Sequence, residues 1–186
     1  GHISLMANLR HTPMFFVQGE EDWPCYAKNG PVPLSEEMHR LGYDGRLWMI
    51  SGVGHNTMDV STDAVLDWAV QQRRVAHPRH ITHRAYFPSY GRAWWVEIAD
   101  IDRIGWYAEI DARVMDDNHI HLALRNTRSV VIRPDPEIFD PDKPIEISTD
   151  EKTVFSGVCS TEEQIVIRRD ASEWHGTIEP RCLLSR

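Results

Sequence analysis

The sequence predicts two parts of different fold class: an α/β fragment over residues 1–76 and an all-β antiparallel sandwich, of jelly-roll or immunoglobulin-like type, over residues 77–186. Three observations carry this. Two short apolar-rich runs, residues 14–17 and 46–50, lie near proline and glycine breakers, as expected of strands buried on both faces of a parallel sheet. Each is followed by a segment of helical period. Around Ala76-His77-Pro78-Arg79 the apolar period drops from near 3.6 to 2, and no convincing helix follows.

In order along the chain, residues 3–10 read as loop or a last helical turn leading into the first strand, which runs out into Gln18-Gly19-Glu20-Glu21-Asp22. Residues 33–41 form a short helix with Leu34, Met38 and Leu41 at i, i+4 and i+7 on one face. Pro33 suits its first turn, Glu36 and Glu37 its positive end, and Gly42 its left-handed stop. The second strand gives way to Gly52-Val53-Gly54-His55-Asn56. A longer helix then starts from Ser61 or Thr62 as N-cap and runs to about Arg74, with Asp63 at its start and Arg73 and Arg74 at its end. Its apolar face, Val65, Leu66, Trp68 and Ala69, is expected to cover the sheet, each large side chain contributing roughly 1.5–3 kcal/mol on burial.

Beyond the boundary, Trp94, Val96 and Ile98 alternate with Trp95, Glu97 and Ala99, and a second alternation runs from Trp106 through Ile110 to Val114. Asp116-Asp117-Asn118 turns the chain into Ile120, Leu122 and Leu124. A three-residue loop with Asn118 left-handed sets Val114 against Ile120 and Glu109 against Arg125. Further strands are predicted at residues 129–133, 144–148, 153–156, 164–168 and 174–178, about eight in all. The core is expected to hold Trp106, Ile110, Val114, Ile120, Leu122 and Leu124.

Composition narrows the function classes. With 28 acidic against 20 basic residues the net charge is -8, which argues against a nucleic-acid partner. No run approaches the ~18–20 apolar residues of a membrane span. Cys25, Cys159 and Cys182 contain no C-x-x-C pair, so no zinc site is implied, while a Cys159–Cys182 bridge stays open. No cofactor is implied, and the compartment, cytoplasmic or secreted, is not fixed.

The chemistry-bearing candidates are Asp22, just past the first strand, and His55, just past the second. Ligands and catalytic groups of open α/β sheets gather at those carboxyl ends. Taken singly, each has a bland reading, a turn residue and a loop histidine. Together, strand, Gly19-Glu20-Glu21-Asp22, a helix ending at Leu41-Gly42-Tyr43-Asp44, strand, and Gly52-Val53-Gly54-His55-Asn56 resemble the closing part of an α/β-hydrolase of the prolyl-oligopeptidase and esterase kind. The likeness covers about the first 75 residues. In that family a Ser on a G-x-S-x-G elbow precedes the acid and then the His. The resemblance therefore implies Asp22 as acid and His55 as base, a peptide or ester substrate, and a β-sandwich as an appended domain. The sequence holds no G-x-S-x-G, so the nucleophile is expected upstream of Gly1 and this chain alone is expected to be inactive. Two departures stand out: Gln18 replaces the His that usually precedes the Gly, and residues 23–30 are an insertion.

Other candidates weigh less. His77, His80 and His83 are spaced so that neighbours in an extended chain face opposite ways. His119 and His121 share a strand face suited to a metal or, more simply, to solvent. Glu20 and Glu21 are adjacent and diverge, which does not suit paired-carboxylate glycoside chemistry. Trp94 and Trp95 point to opposite sides, one to the core and one to a loop, interface or sugar surface. Two further readings stand beside the hydrolase: a sandwich binding module for protein or polysaccharide, and a structural piece that forms homo-oligomers through an open sheet edge.

Overall fold

The computed structural model describes residues 3–26, 30–55, 61–116, 118–150 and 152–181. The described residues are mostly β, with 44% strand and 18% helix, and the chain divides into two compact units, residues 1–75 and 76–186.

In the first unit a 3-10 helix, Ile3–Leu9, leads into strand β1 (Met14–Gly19). A 3-10 turn, Trp23–Tyr26, and helix α1 (Pro31–Arg40) lead to strand β2 (Gly45–Ile50), and helix α2 (Thr62–Ala69) follows. β1 and β2 pair in parallel, Met14 opposite Gly45 and Gly19 opposite Ile50. Alternation along β1 sends Met14 and Phe16 to one face, where they pack on Met6, Met38 and Tyr43. The opposite face carries Phe15, which meets the Trp48 ring at 6.4 Å and the Trp68 ring of α2 at 5.2 Å.

Both helices differ from expectation in instructive ways. α1 starts at Pro31 after Gly30, so Glu36 and Glu37 lie inside it and not at its positive end. Glu37 instead accepts from Arg40 Nε at 2.6 Å and Nη2 at 2.7 Å. Gly42 is the left-handed stop, at φ 72. α2 has the Ser61 cap, which accepts from Ala64 N–H, but ends at Ala69 and buries no residue, with Leu66 54% exposed. A two-stranded sheet is only about 5 Å between strand axes, wide enough to meet the one row that Trp68 occupies. The same narrowness leaves β1 and β2 half-buried, not buried on both faces. Beyond α2, Arg73 Nη1 donates to the Val70 carbonyl at 2.9 Å, so an expected helix-end charge serves as a terminating cap.

The second unit contains β3 (His80–Ala85), β4 (Arg92–Ala93), β5 (Val96–Ile101), β6 (Ala108–Val114), β7 (His119–Arg125), β8 (Thr127–Ile132), β9 (Ile145–Thr149), β10 (Lys152–Gly157), β11 (Glu163–Asp170) and β12 (Glu173–Pro180). They form two five-stranded sheets, ordered β10-β9-β7-β6-β3 and β12-β11-β8-β5-β4. Ile110, Ile120 and Ile147 of the first sheet and Ile98, Ile132 and Ile165 of the second are fully buried in one shared core. The β6–β7 register is the expected one, Val114 opposite Ile120 and Glu109 opposite Arg125, with Asn118 left-handed at φ 59.

Four expectations are corrected. Trp106 lies 62% exposed in the loop before β6, where its carbonyl accepts from Asn126 Nδ2. Trp94 and Trp95 form the two-residue turn between β4 and β5 and do not lie on one strand; Trp95 is the buried one, donating to the Pro78 carbonyl at 2.8 Å. Although Glu109 stands opposite Arg125, its carboxylate pairs with Arg84, and Arg125 lies over the Tyr107 ring. The sheets are not wholly antiparallel: β7 and β9 run parallel, because the chain crosses to the other sheet as β8 before returning. β3 went unpredicted because His83 interrupts the apolar side of Ile81 and Ala85, where its Nε2 bonds the Tyr90 carbonyl at 2.8 Å. Cys159 is a buried free thiol, and Cys182 lies outside the described residues. Among the described residues no helix is long and apolar enough to cross a membrane.

Candidate functional site

Parallel pairing of β1 and β2 brings their carboxyl ends side by side, so the turn after Gly19 and the loop after Ile50 are neighbours. Backbone hydrogen bonds join them: Glu20 N–H to the Ile50 carbonyl and Glu21 N–H to the Val53 carbonyl, both 2.9 Å. The contact is close enough to require glycine. A Cβ on Gly19 would stand 2.2 Å from the carbonyl oxygens of Val53 and Gly54.

On this joined pair sit Asp22 and His55. Asp22 is buried, 6% exposed, and its N–H donates to the Gly19 carbonyl at 3.2 Å. Its Oδ2 lies 2.8 Å from His55 Nδ1, while the imidazole is 92% exposed. The Gln18 side-chain amide also donates to Asp22 Oδ2. A carboxylate accepting from Nδ1–H fixes the tautomer with the Nε2 lone pair free, and Nε2 has no partner among the described residues. The pair therefore presents an oriented proton acceptor to solvent. Gln18 stood out in the sequence only as a departure from the pattern it resembles; in the structure its amide reaches the Asp22 carboxylate. Asn56, the last residue of the quoted loop, lies outside the described residues.

The remaining candidates are dispersed. Glu20 accepts from the Ser51 hydroxyl and does not converge with Glu21. His77 Nδ1 lies 2.7 Å from Asp135 Oδ2, His80 Nε2 3.0 Å from Asp111 Oδ1, and His83 on the Tyr90 carbonyl, three separate partners in place of a cluster. Burial pulls the His83 pKa below its ordinary value, against the opposing effect of that carbonyl. His119 Nε2 and His121 Nδ1 both face Ser148 Oγ, at 3.0 and 3.4 Å. One hydroxyl thus occupies both rings. Ser148 is 8% exposed, on a strand paired on both sides. Among the described residues no group of three or more His, Cys, Asp or Glu is placed to hold a metal ion.

Comparison with known proteins adds no relative: no family model, no curated protein and no solved structure matches this chain.

Proposed function

We propose that Asp22 and His55 are the acid and base of a serine-hydrolase triad, and that the chain is the carboxyl-terminal portion of a peptidase or carboxylic-ester hydrolase with an appended sandwich of jelly-roll or immunoglobulin-like kind. The observation that supports this reading is the 2.8 Å contact from His55 Nδ1 to Asp22 Oδ2 at the shared carboxyl ends of two parallel strands. In the reaction His55 Nε2 takes the proton of an upstream serine as its oxygen attacks the substrate carbonyl, then returns it to the leaving group. Asp22 holds the tautomer and stabilises the imidazolium. Gln18 keeps the carboxylate aimed.

The 186-residue chain is expected neither to hydrolyse a p-nitrophenyl ester faster than free imidazole nor to take a fluorophosphonate label, since the elbow that supplies Ser and an oxyanion N–H is not in it. A longer protein that includes this chain should do both, and His55→Ala within it should lower turnover by at least about 10³-fold. Stoichiometric labelling of a serine within the 186 residues, or a His55→Ala parent of undiminished activity, would falsify the reading.

A binding-module reading draws on a different feature. Tyr90, Ile104 and Trp106 are 72%, 88% and 62% exposed in the loops that flank the paired Ala85 and Ala108 ends of β3 and β6. Exposed aromatic side chains beside arginine are the composition of protein-binding surfaces, and Arg103 lies 5.9 Å from the Trp106 ring centre.

A further inference from the structure

A cleft of about 330 Å³ in the second unit is lined by Arg92, Trp94, Arg133, Pro134, Asp135 and Arg181, among others. Its size is that of a small-molecule site. The three arginines are held differently. Arg181 donates from Nε to the Glu163 carbonyl at 2.7 Å and from Nη2 to the Pro134 carbonyl at 3.0 Å. Arg133 is 17% exposed; its Nη1 is buried 2.6 Å from Glu97 Oε2, out of line for a hydrogen bond, so part of its charge is met there. Arg92 is exposed and makes no hydrogen bond or ion pair among the described residues.

Like charges gathered this way repel. Burial first, and then the charges of Arg133 and Arg92, hold the Arg181 pKa below its ordinary value, against the opposing effects of Cys159 and Asp135. In a chain of net charge -8 the cleft gathers three arginines, against Asp135 in its lining and Glu97 beside Arg133. An anion seated there removes the repulsion.

The wall of the cleft is also unusual. Trp94 takes φ 50 in the two-residue turn between β4 and β5, a left-handed conformation that Gly or Asn adopts without strain. The turn keeps Trp95 in the core and leaves the half-buried Trp94 lining the cleft. A guanidinium fork matches the two oxygens of a carboxylate, and an indole face covers a ring.

We propose that this cleft binds a carboxylate borne on a sugar-sized ring, with Arg92 and Arg133 on the carboxylate and Trp94 against the ring. The site does not depend on the role given to Asp22 and His55. Calorimetric titration of the full chain with galacturonate, galactose and inorganic phosphate tests it. Galacturonate should bind at least about tenfold more tightly than either of the others, the difference expected of one charge-assisted contact set on a ring platform. Arg92→Ala should weaken galacturonate by a similar factor with no change in melting temperature, since the side chain is exposed and unbonded. Trp94→Gly relieves the turn but removes an indole packed against the core, so it should weaken galacturonate binding while the chain still melts cooperatively. Galactose or phosphate binding as tightly as galacturonate, no binding of galacturonate, or an unaltered affinity in folded Arg92→Ala would each overturn the proposal.

Discussion

Asn126 shapes the loop before β6 with one side chain. Its Nδ2 lies 3.1, 3.1 and 3.3 Å from the carbonyls of Arg103, Trp106 and Tyr107, its Oδ1 accepts from Arg103 N–H at 2.9 Å, and its own φ is 53. Asn118 repeats the device, left-handed and buried, donating to the carbonyls of Asp140 and Lys143 and accepting from Asp140 N–H. Its backbone conformation was readable from Asp-Asp-Asn between two alternating runs; its grip on a loop twenty residues on was not, because nothing local encodes it. Asp111 on the outer face of β6 supplies a pH test. Burial opposes its ionisation, but hydrogen bonds from Arg113 and His80, and their charges, hold its pKa below the ordinary 3.8. A folded-state pKa below the unfolded one contributes stability that is present above about pH 4 and lost as pH falls through the folded value. Asp111→Asn should therefore melt lower than the parent at pH 7, with the gap closing below about pH 4 in scanning calorimetry. A constant gap across that range would show that the charge of Asp111 contributes nothing.

The β1–loop–β2–loop element makes Gly19 its tightest point. Gly19→Ala drives a methyl into the carbonyls of Val53 and Gly54, both backbone, so the loop carrying His55 must shift. We expect a loss of about 1–3 kcal/mol and disappearance of the His55 Nδ1–Asp22 contact, read as a changed imidazole ¹⁵N signature. Gly54→Ala, where an added Cβ meets nothing within 4 Å, is the control and should leave both unchanged. Much of this element was legible: apolar runs beside breakers marked β1 and β2, and the positions of Asp22 and His55 just past them followed. What the sequence hid was width. Nothing in Val65, Leu66, Trp68 and Ala69 says that the sheet beneath them has two strands, so the helix read as buried when Val65 and Trp68 are half-buried and none of its residues is fully so. Gln18 was hidden for another reason: its role depends on its reach to residue 22, a distance that strand periodicity does not express.

At the scale of the whole molecule, the second unit has its own core, to which nearly all of its strands contribute. Residues 76–186 expressed alone should show a single cooperative melt, and a broad, non-cooperative transition would mean that this core does not stand by itself. The route by which that core forms is set by the parallel pairing of β7 and β9. The β6–β7 hairpin can close locally around Asn118, but β9 acquires its place only after β8 has crossed to the opposite sheet and residues 133–144 have brought the chain back. Contacts of such sequence separation must meet their loop-closure entropy before they are rewarded. The sandwich should consequently fold in the slow range of roughly milliseconds to seconds, with the β7–β9 ladder among the last to protect its amides from exchange.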